Sequence, residues 1–551
     1  MRKMLLGIAA ITVFLATAAV AIAQITGGVP SANPRSGTPS DILATGFTKS
    51  LLAQGSDALE NPSGIITNYG YLNDAAGQTS GLQTKTEPDE NTYLHTTSNP
   101  GGPTAGYNYG RHFLIQGHEL FSSAVAGVGH SNSAYFTRVN LDVPVGNSHR
   151  ITLLNAADAS GNTGAASIDG SVYDPFTGKL VFTGEGNNTF GGVFSTNLNW
   201  SGTTMPSTDH YLGSFGTAGY EGITFDRLGN SYLVEDAGGI NVTDGATATK
   251  VKQPNSFLFR FKPTTPGGLT SGKLQVLQVA NSAGTPITFH TTGTGPRDDA
   301  LGADILKLHS GAWLKVKWVT VHDTAVDGTA TFNANSLAKT KGGTPFKRPE
   351  NGKWMPRRGF RDFVFTETGD TSQEAQTYPG AAARGAYGAL MHLQFGRPGA
   401  DTGRISAAAV GDAVHNSFDN LSFFDRNTVF VGEDRGDLLH QQLNALDSLW
   451  SFDLTKSYSA INADAQRVIA QGRDADSFAD VSKKEGVPPI ADQNDGDNEV
   501  TGILVDPGWA SVHLMTGVRD PAFKHDYGQK SGTRIFVTYQ HGSNTTYELK
   551  P

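Results

Sequence analysis

The hydrophobic pattern of this chain is short, extended and recurrent. Extended apolar runs of six to eight residues, each ending on a small polar or acidic tip, pass through a loop and are answered by a second extended run. Such pairs occupy 112–119 with 134–141, 180–185 with 192–198, 231–236 with 256–263, 362–368 with 389–395, 428–434 with 448–454, and 534–541 with 546–549, which makes six. Before five of them lies a further short strand opening on an acidic residue: Asp169, Glu221, Glu350, Asp419 and Glu499. Repeats of three or four short strands predict an all-β fold, a six-bladed β-propeller with long insertions, whose sheets pack radially around a channel. The innermost strand of each blade presents its first residue near one mouth of that channel. Five carboxylates at one position of a repeat would therefore converge there and repel one another unless cations neutralise them. Hard cations such as calcium take such all-oxygen sites.

The rest of the chain is organised around this repeat. Residues 1–23 join Arg2 and Lys3 to an apolar run and an Ala21-Ile22-Ala23 end, the three parts of a cleavable signal peptide. The protein is therefore expected outside the cytoplasm, in a periplasm or released. No later run has membrane-spanning length. Residues 24–95 read as a partly ordered leader without a functional role, with a short helix near 41–58. The propeller is expected over 96–551, interrupted by insertions at about 264–347 and 456–498. The first supplies an atypical blade edge or covers the channel mouth. The second carries a short helix around 462–471 and a polar stretch, 492–498, in which the EF-hand spacing fails because Gly496 falls one position early.

Composition narrows the chemistry. The 551 residues include no cysteine, which excludes disulfides, thiolate ligands and a cysteine nucleophile. The 67 glycines suit tight turns between strands rather than helices. A formal charge of -9, or -11 once Arg2 and Lys3 are removed, argues against a nucleic-acid partner. The chain has no G-x-S-x-G elbow, no HExxH and no G-x-G-x-x-G after a strand. Arg348 stands two residues before Glu350, so in an extended segment both turn to one side. A guanidinium beside metal-bound carboxylates suits a phosphate ester. A local ion pair in a turn closed by Pro349 explains the same residues equally well, and His118 and His541 read equally as structural residues or ligands.

An ordered set of motifs spans about 100–545: Gly117-His118-Glu119, Thr183-Gly184-Glu185, Tyr220-Glu221-Gly222, the segments 257–263 and 344–350, Asp419-Asn420-Leu421, Glu499 to Gly502, and Tyr539 to Gly542. In this the chain resembles alkaline phosphatases of the PhoX type and the wider family once called domain of unknown function 839. The resemblance implies a six-bladed propeller that holds calcium and iron and hydrolyses a small phosphate ester. It implies Glu185, Glu221, Glu350 and Glu499 as metal ligands, Asp169, Asp236 and Asp419 as further ligands, and Arg348 as the substrate-phosphate contact. A monomer is expected. Two departures stand against it. Gly184 occupies the position of the family's cysteine iron ligand, and the signal segment lacks the twin arginine of the family's usual export route. The alternative is a propeller that binds calcium, catalyses nothing and serves in binding or at the cell surface.

Overall fold

The computed structural model describes residues 25, 27–35, 37–64, 66–70, 87–96, 98–119, 133–159, 161–186, 189–243, 250–356, 358–370, 380–473, 499–506, 534–540 and 544–551. The signal segment 1–23, the stretch 492–498 and His541 lie outside the described residues.

The apolar runs form strands because β-branched and aromatic residues dominate them, and those strands assemble into six four-stranded antiparallel meanders. The first meander runs Glu87–His95, His112–Glu119, Tyr135–Asn140 and Ile151–Leu153, and the second Ile168–Asp174, Lys179–Gly186, Gly192–Asn197 and Thr208–His210. The third takes Ala218–Phe225, Ser231–Glu235, Phe259–Pro263 and Gly272–Ala280, and the fourth Gly352–Trp354, Asp362–Glu367, Ala389–Phe395 and Thr402–Val410. Strand Leu314–Asp323 pairs with the outer strands of both these meanders and joins them. The fifth consists of Phe418–Phe423, Thr428–Glu433, Ser448–Asp453 and Gln466–Ala470, with Ile42–Leu43 added at its edge. The sixth is Val500–Asp506, Arg534–Tyr539 and Thr545–Lys550, closed by Thr48–Ala53 from near the start of the chain.

The six opening strands are neighbours in order. Glu87–His95 packs beside Ile168–Asp174 and also beside Val500–Asp506, and the remaining strands follow the chain from one meander to the next. The apolar cores lie between meanders rather than within one. Phe136 of the first stacks on Phe182 of the second, 4.0 Å between ring centres, and Phe424 and Phe430 of the fifth share a core with Ile535 and Val537 of the sixth. Each such aromatic, fully buried, contributes roughly 1.5–3 kcal/mol. With both faces covered, most strands are buried along nearly their whole length.

Three local expectations change. The helix expected near 41–58 is replaced by strands Ile42–Leu43 and Thr48–Ala53, whose leucines face strands from the far end of the chain. Around 462–471 only the turn Ile461–Asp464 is helical, and Gln466–Ala470 is a fourth strand. Within 264–347, Gly272–Ala280 and Leu314–Asp323 are strands paired on both sides rather than a blade edge, accompanied by helices Gly295–Leu301, Ala303–Leu308 and Ala334–Thr340.

Candidate metal centre

The opening strands carry a shared irregularity. Their pairing with the next strand slips between Pro88 and Asn91, Ile168 and Ser171, Tyr220 and Ile223, Phe418 and Leu421, and Thr501 and Leu504. A β-bulge releases the residue inside it from the ladder and re-aims its side chain. In four of these five slips the first residue released is acidic: Asp89, Asp169, Glu221 and Asp419. The fourth meander reaches the same end by a kink. Arg348 takes a left-handed φ of +52°, its carbonyl accepts the Thr368 N–H, and Glu350 follows two residues later.

These side chains meet in two groups that share one member. Carboxylate oxygens of Glu119, Asp169, Glu185 and Glu221 all lie within 4.8 Å of one another, and those of Glu221, Asp236 and Glu350 do the same. Neighbouring sheets are pinned at this point, since Glu185 pairs with Gly219 across the boundary between the second and third meanders. The Asp236 N–H donates to the Gly219 carbonyl. Arg348 borders the second group, with its guanidinium 2.8 Å from Asp236 and 3.4 Å from Glu350, and the Thr368 hydroxyl donates to Glu350 at 2.5 Å. Arg348 and Glu350 do come together, but through the left-handed kink and not through the extended geometry that the sequence suggested.

Further round, Asp419 and Glu499 share a hydrogen bond, and Asp434 bears on both. Asp89 is buried beside them and accepts from Thr501 at 2.5 Å, Gln540 at 3.0 Å and Asn420 at 3.2 Å. An ion pair links Lys353 of the fourth meander to Glu90 of the first. Glu90 also accepts the Ser171 N–H at 3.0 Å, tying in the second meander.

The electrostatics follow from crowding. Burial, with Asp236 and Asp169 adding to it, pushes the Glu185 carboxyl up to about 8. Burial likewise raises Asp419 to about 7, with Asp169 and Asp434 adding to it. Glu119, Glu221, Glu350, Glu499 and Asp89 are all held well above the ordinary carboxylate range, first by burial and then by neighbouring carboxylates, chiefly Asp169, Asp236 and Asp434. Burial works against the charge on Arg348, yet Asp236 and Glu350 outweigh it and hold the guanidinium firmly protonated. Too many buried carboxylates surround too few cations, and hard oxygen-binding metal ions are what such a donor set accommodates. These groups can hold a cation.

A sulfur ligand does not fit. A Cβ on Gly184 would sit 2.8 Å from the Ala166 carbonyl and 3.0 Å from the Phe194 ring, among core atoms and not among the carboxylates. His118 is structural: it is fully buried, stacked on Tyr135 at 4.5 Å and bonded to Thr137 at 2.7 Å, and burial lowers it to about 3.

All eight residues singled out from the sequence lie in this region. Asp169, Glu185, Glu221, Asp236 and Glu350 fall in the two groups, Arg348 at their edge, and Asp419 with Glu499 beside Asp89. Sequence reasoning did not single out Glu119, Asp89 or Asp434. Glu119 stands at the end of its strand much as Glu185 stands one residue from the end of its own, and Asp434 follows Glu433 as Asp236 follows Glu235, so aligning the repeat on its second strands finds both. Asp89 falls within the stretch set aside as a leader.

No family model and no curated protein matches the chain. Among solved structures it is similar to Pseudomonas fluorescens PhoX in complex with vanadate, a transition state analogue, with a TM-score of 0.54 at 12% identity over 96% of this chain and 98% of that one. It also aligns with a putative 6-phosphogluconolactonase from Bacteroides fragilis at 11% identity, over 68% of this chain and 79% of that one, but the TM-score of 0.26 carries no weight. The likeness to PhoX is one of fold: large, mostly β and covering nearly both chains.

Proposed function

We propose that this is an exported, metal-dependent phosphoric ester hydrolase of the phosphomonoesterase kind, a distant PhoX-type protein built as a closed six-bladed propeller. The cyclic order of neighbouring opening strands supports the propeller reading, because the first meander packs beside both the second and the sixth. Two carboxylate groups sharing Glu221, with Arg348 at their edge, carry the functional reading. Calcium is the proposed cation, held by Glu119, Asp169, Glu185 and Glu221 in one group and Glu221, Asp236 and Glu350 in the other. Asp419 and Glu499 are proposed as further ligands. Iron remains an option only in all-oxygen surroundings, given Gly184. Bound cations would supply charge stabilisation and an acidified water for attack at phosphorus.

The chain's own groups do the rest. Asp236 and Glu350 fix the Arg348 guanidinium in one orientation, so its planar donors meet phosphate oxygens without reorganisation. Lys353 and Glu90, the latter within the first bulge, tie the fourth meander to the first beside the site. The N-terminal segment is the proposed export signal, and a monomer acting in a periplasm or outside the cell is the proposed form.

The test is hydrolysis of p-nitrophenyl phosphate from pH 6 to 10 with calcium, with calcium plus iron, and with chelator, beside Glu350→Ala. Metal-dependent turnover that vanishes in the variant is expected. A second reading, a calcium-binding propeller without catalysis, is favoured by the filled space at Gly184. Flat traces from a protein that still binds calcium in calorimetry would select it.

A further inference from the structure

On the rim beside Arg348, three basic side chains stand close together in very different circumstances. Lys347 is buried and committed: its ammonium lies 2.6 Å from Asp370 and 3.3 Å from the Lys252 carbonyl. Arg348 is anchored on Asp236. Lys252 ends the short hairpin strand Lys250–Lys252, paired with Asn241–Thr243. Val251 points the other way, into a small core with Ala300 and Leu301, so strand alternation turns Lys252 toward the site side. Its backbone is fastened in place, since the Lys252 N–H reaches Asp370 at 3.4 Å and its carbonyl accepts from Lys347.

Among the described residues, no carboxylate lies within ion-pair distance of the Lys252 ammonium, and it donates no hydrogen bond. The charges that face it are Arg348 and Lys347, with Asp370 and Asp236 opposed, and burial together with the two cations pulls it below the ordinary lysine range. Holding a half-buried ammonium next to two like charges costs stability unless something anionic is meant to join them.

We propose that Lys252 is a specificity-determining anion contact, which with Arg348 grips the phosphate of a phosphomonoester dianion at the edge of the carboxylate groups. The inference rests on the reading of Arg348 as a phosphate contact. Arg348 offers a planar fork and Lys252 a compact point charge with three donors, so the pair spans two sides of one phosphoryl group. Two cations discriminate by charge: a monoester dianion gains from both, whereas a diester monoanion gains little from the second.

The experiment is calorimetric titration of the calcium-loaded mature protein with inorganic phosphate, for the parent, Lys252→Met and Lys252→Arg. Methionine keeps the apolar stem and removes only the charge. Loss of a charged hydrogen bond predicts phosphate binding weakened about tenfold or more in Lys252→Met, with Lys252→Arg within about threefold of the parent. Calcium binding should be unchanged in all three, which also shows that each folds. Equal phosphate affinity in the parent and Lys252→Met overturns the proposal, and so does a parent that binds no phosphate. Turnover separates the two readings: a parent that binds phosphate through Lys252 but hydrolyses nothing sinks the hydrolase and leaves the anion contact standing. Where turnover exists, KM for p-nitrophenyl phosphate should rise about tenfold in Lys252→Met while that for bis(p-nitrophenyl) phosphate moves less than about threefold.

Discussion

The second strands of the first two meanders and those of the next three carry a glutamate at or next to their ends and use it in opposite ways. Glu119 and Glu185 turn into the carboxylate group. Glu235, Glu367 and Glu433 turn away and clamp the fold: they accept the backbone N–H of Phe257 at 3.0 Å, Lys347 at 2.8 Å and Asn416 at 3.0 Å. The register explains the difference. Glu235 and Glu433 lie opposite Tyr220 and Phe418, while the residues opposite Ile168 and Pro88 are Gly184 and His118, one position before the glutamates. A one-residue offset sends a strand side chain to the other face. In the clamped meanders the next residue, Asp236, Thr368 or Asp434, faces the site instead. One repeat thus yields glutamates that join the carboxylate group and glutamates that clamp the backbone from nearly identical sequence, and the clamp at Lys347 holds the segment that kinks at Arg348.

The sharpest way to break this comparison is to truncate one glutamate of each kind. Glu433 is bonded to Arg435 at 2.8 Å and to the Trp450 ring N–H at 2.9 Å, all buried. Glu433→Ala leaves the buried Arg435 guanidinium only the more distant carboxylate of Asp447, 3.8 Å away, and should cost about 3 kcal/mol in urea unfolding, with or without calcium. Glu185→Gln should instead leave the metal-free protein as stable as the parent or more so, because it removes one of several mutually repelling carboxylates. Calcium comes next. At a hundredfold excess over its dissociation constant it should stabilise the parent by about 2.7 kcal/mol, and Glu221→Gln, which touches both groups, should abolish that gain while Glu235→Gln keeps it. A thermal melt series with and without chelator decides.

Restoring a side chain at the offset position is a smaller perturbation. Gly184→Cys should destabilise by about 1–3 kcal/mol through overpacking and should give no thiolate-to-iron absorption band with Fe(III). The pH dependence of the metal-free protein is the mildest effect. Folded Glu185 keeps its proton to about 8 and Asp419 to about 7, whereas the unfolded chain releases both near 4 to 5, so the folded state binds more protons and stability falls as pH rises from 5 to 8. The slope is about 1.4 kcal/mol per pH unit for each proton retained, and calcium should flatten it. A slope of the opposite sign in chelator would show that these carboxylates do not crowd one another.

The repeat was legible because apolar runs with acidic tips recur, and alignment on their opening residues found Asp169, Glu221, Glu350, Asp419 and Glu499. The bulges were not legible, since a slip in pairing depends on the partner strand. The first opening strand stayed hidden for a related reason. Its start, Glu87 to Asn91, is four polar residues and a proline and reads as loop, yet it is buried against other polar groups: Ser171, Lys353, Asn420 and Thr501. The strands at 42–43 and 48–53 were misread because their partners lie hundreds of residues away, and no local pattern carries that information.

That distance sets a timetable for the molecule's birth. Thr48 and Lys550 face each other across 502 residues, so the sixth sheet cannot be completed until strand Thr545–Lys550 has been synthesised. A contact of such high sequence separation must meet its loop-closure entropy before its hydrogen bonds return anything, which places it among the late contacts of folding. Until then strand 48–53 has an open edge with two adjacent leucines, and the nascent chain depends on whatever shields that edge from other chains.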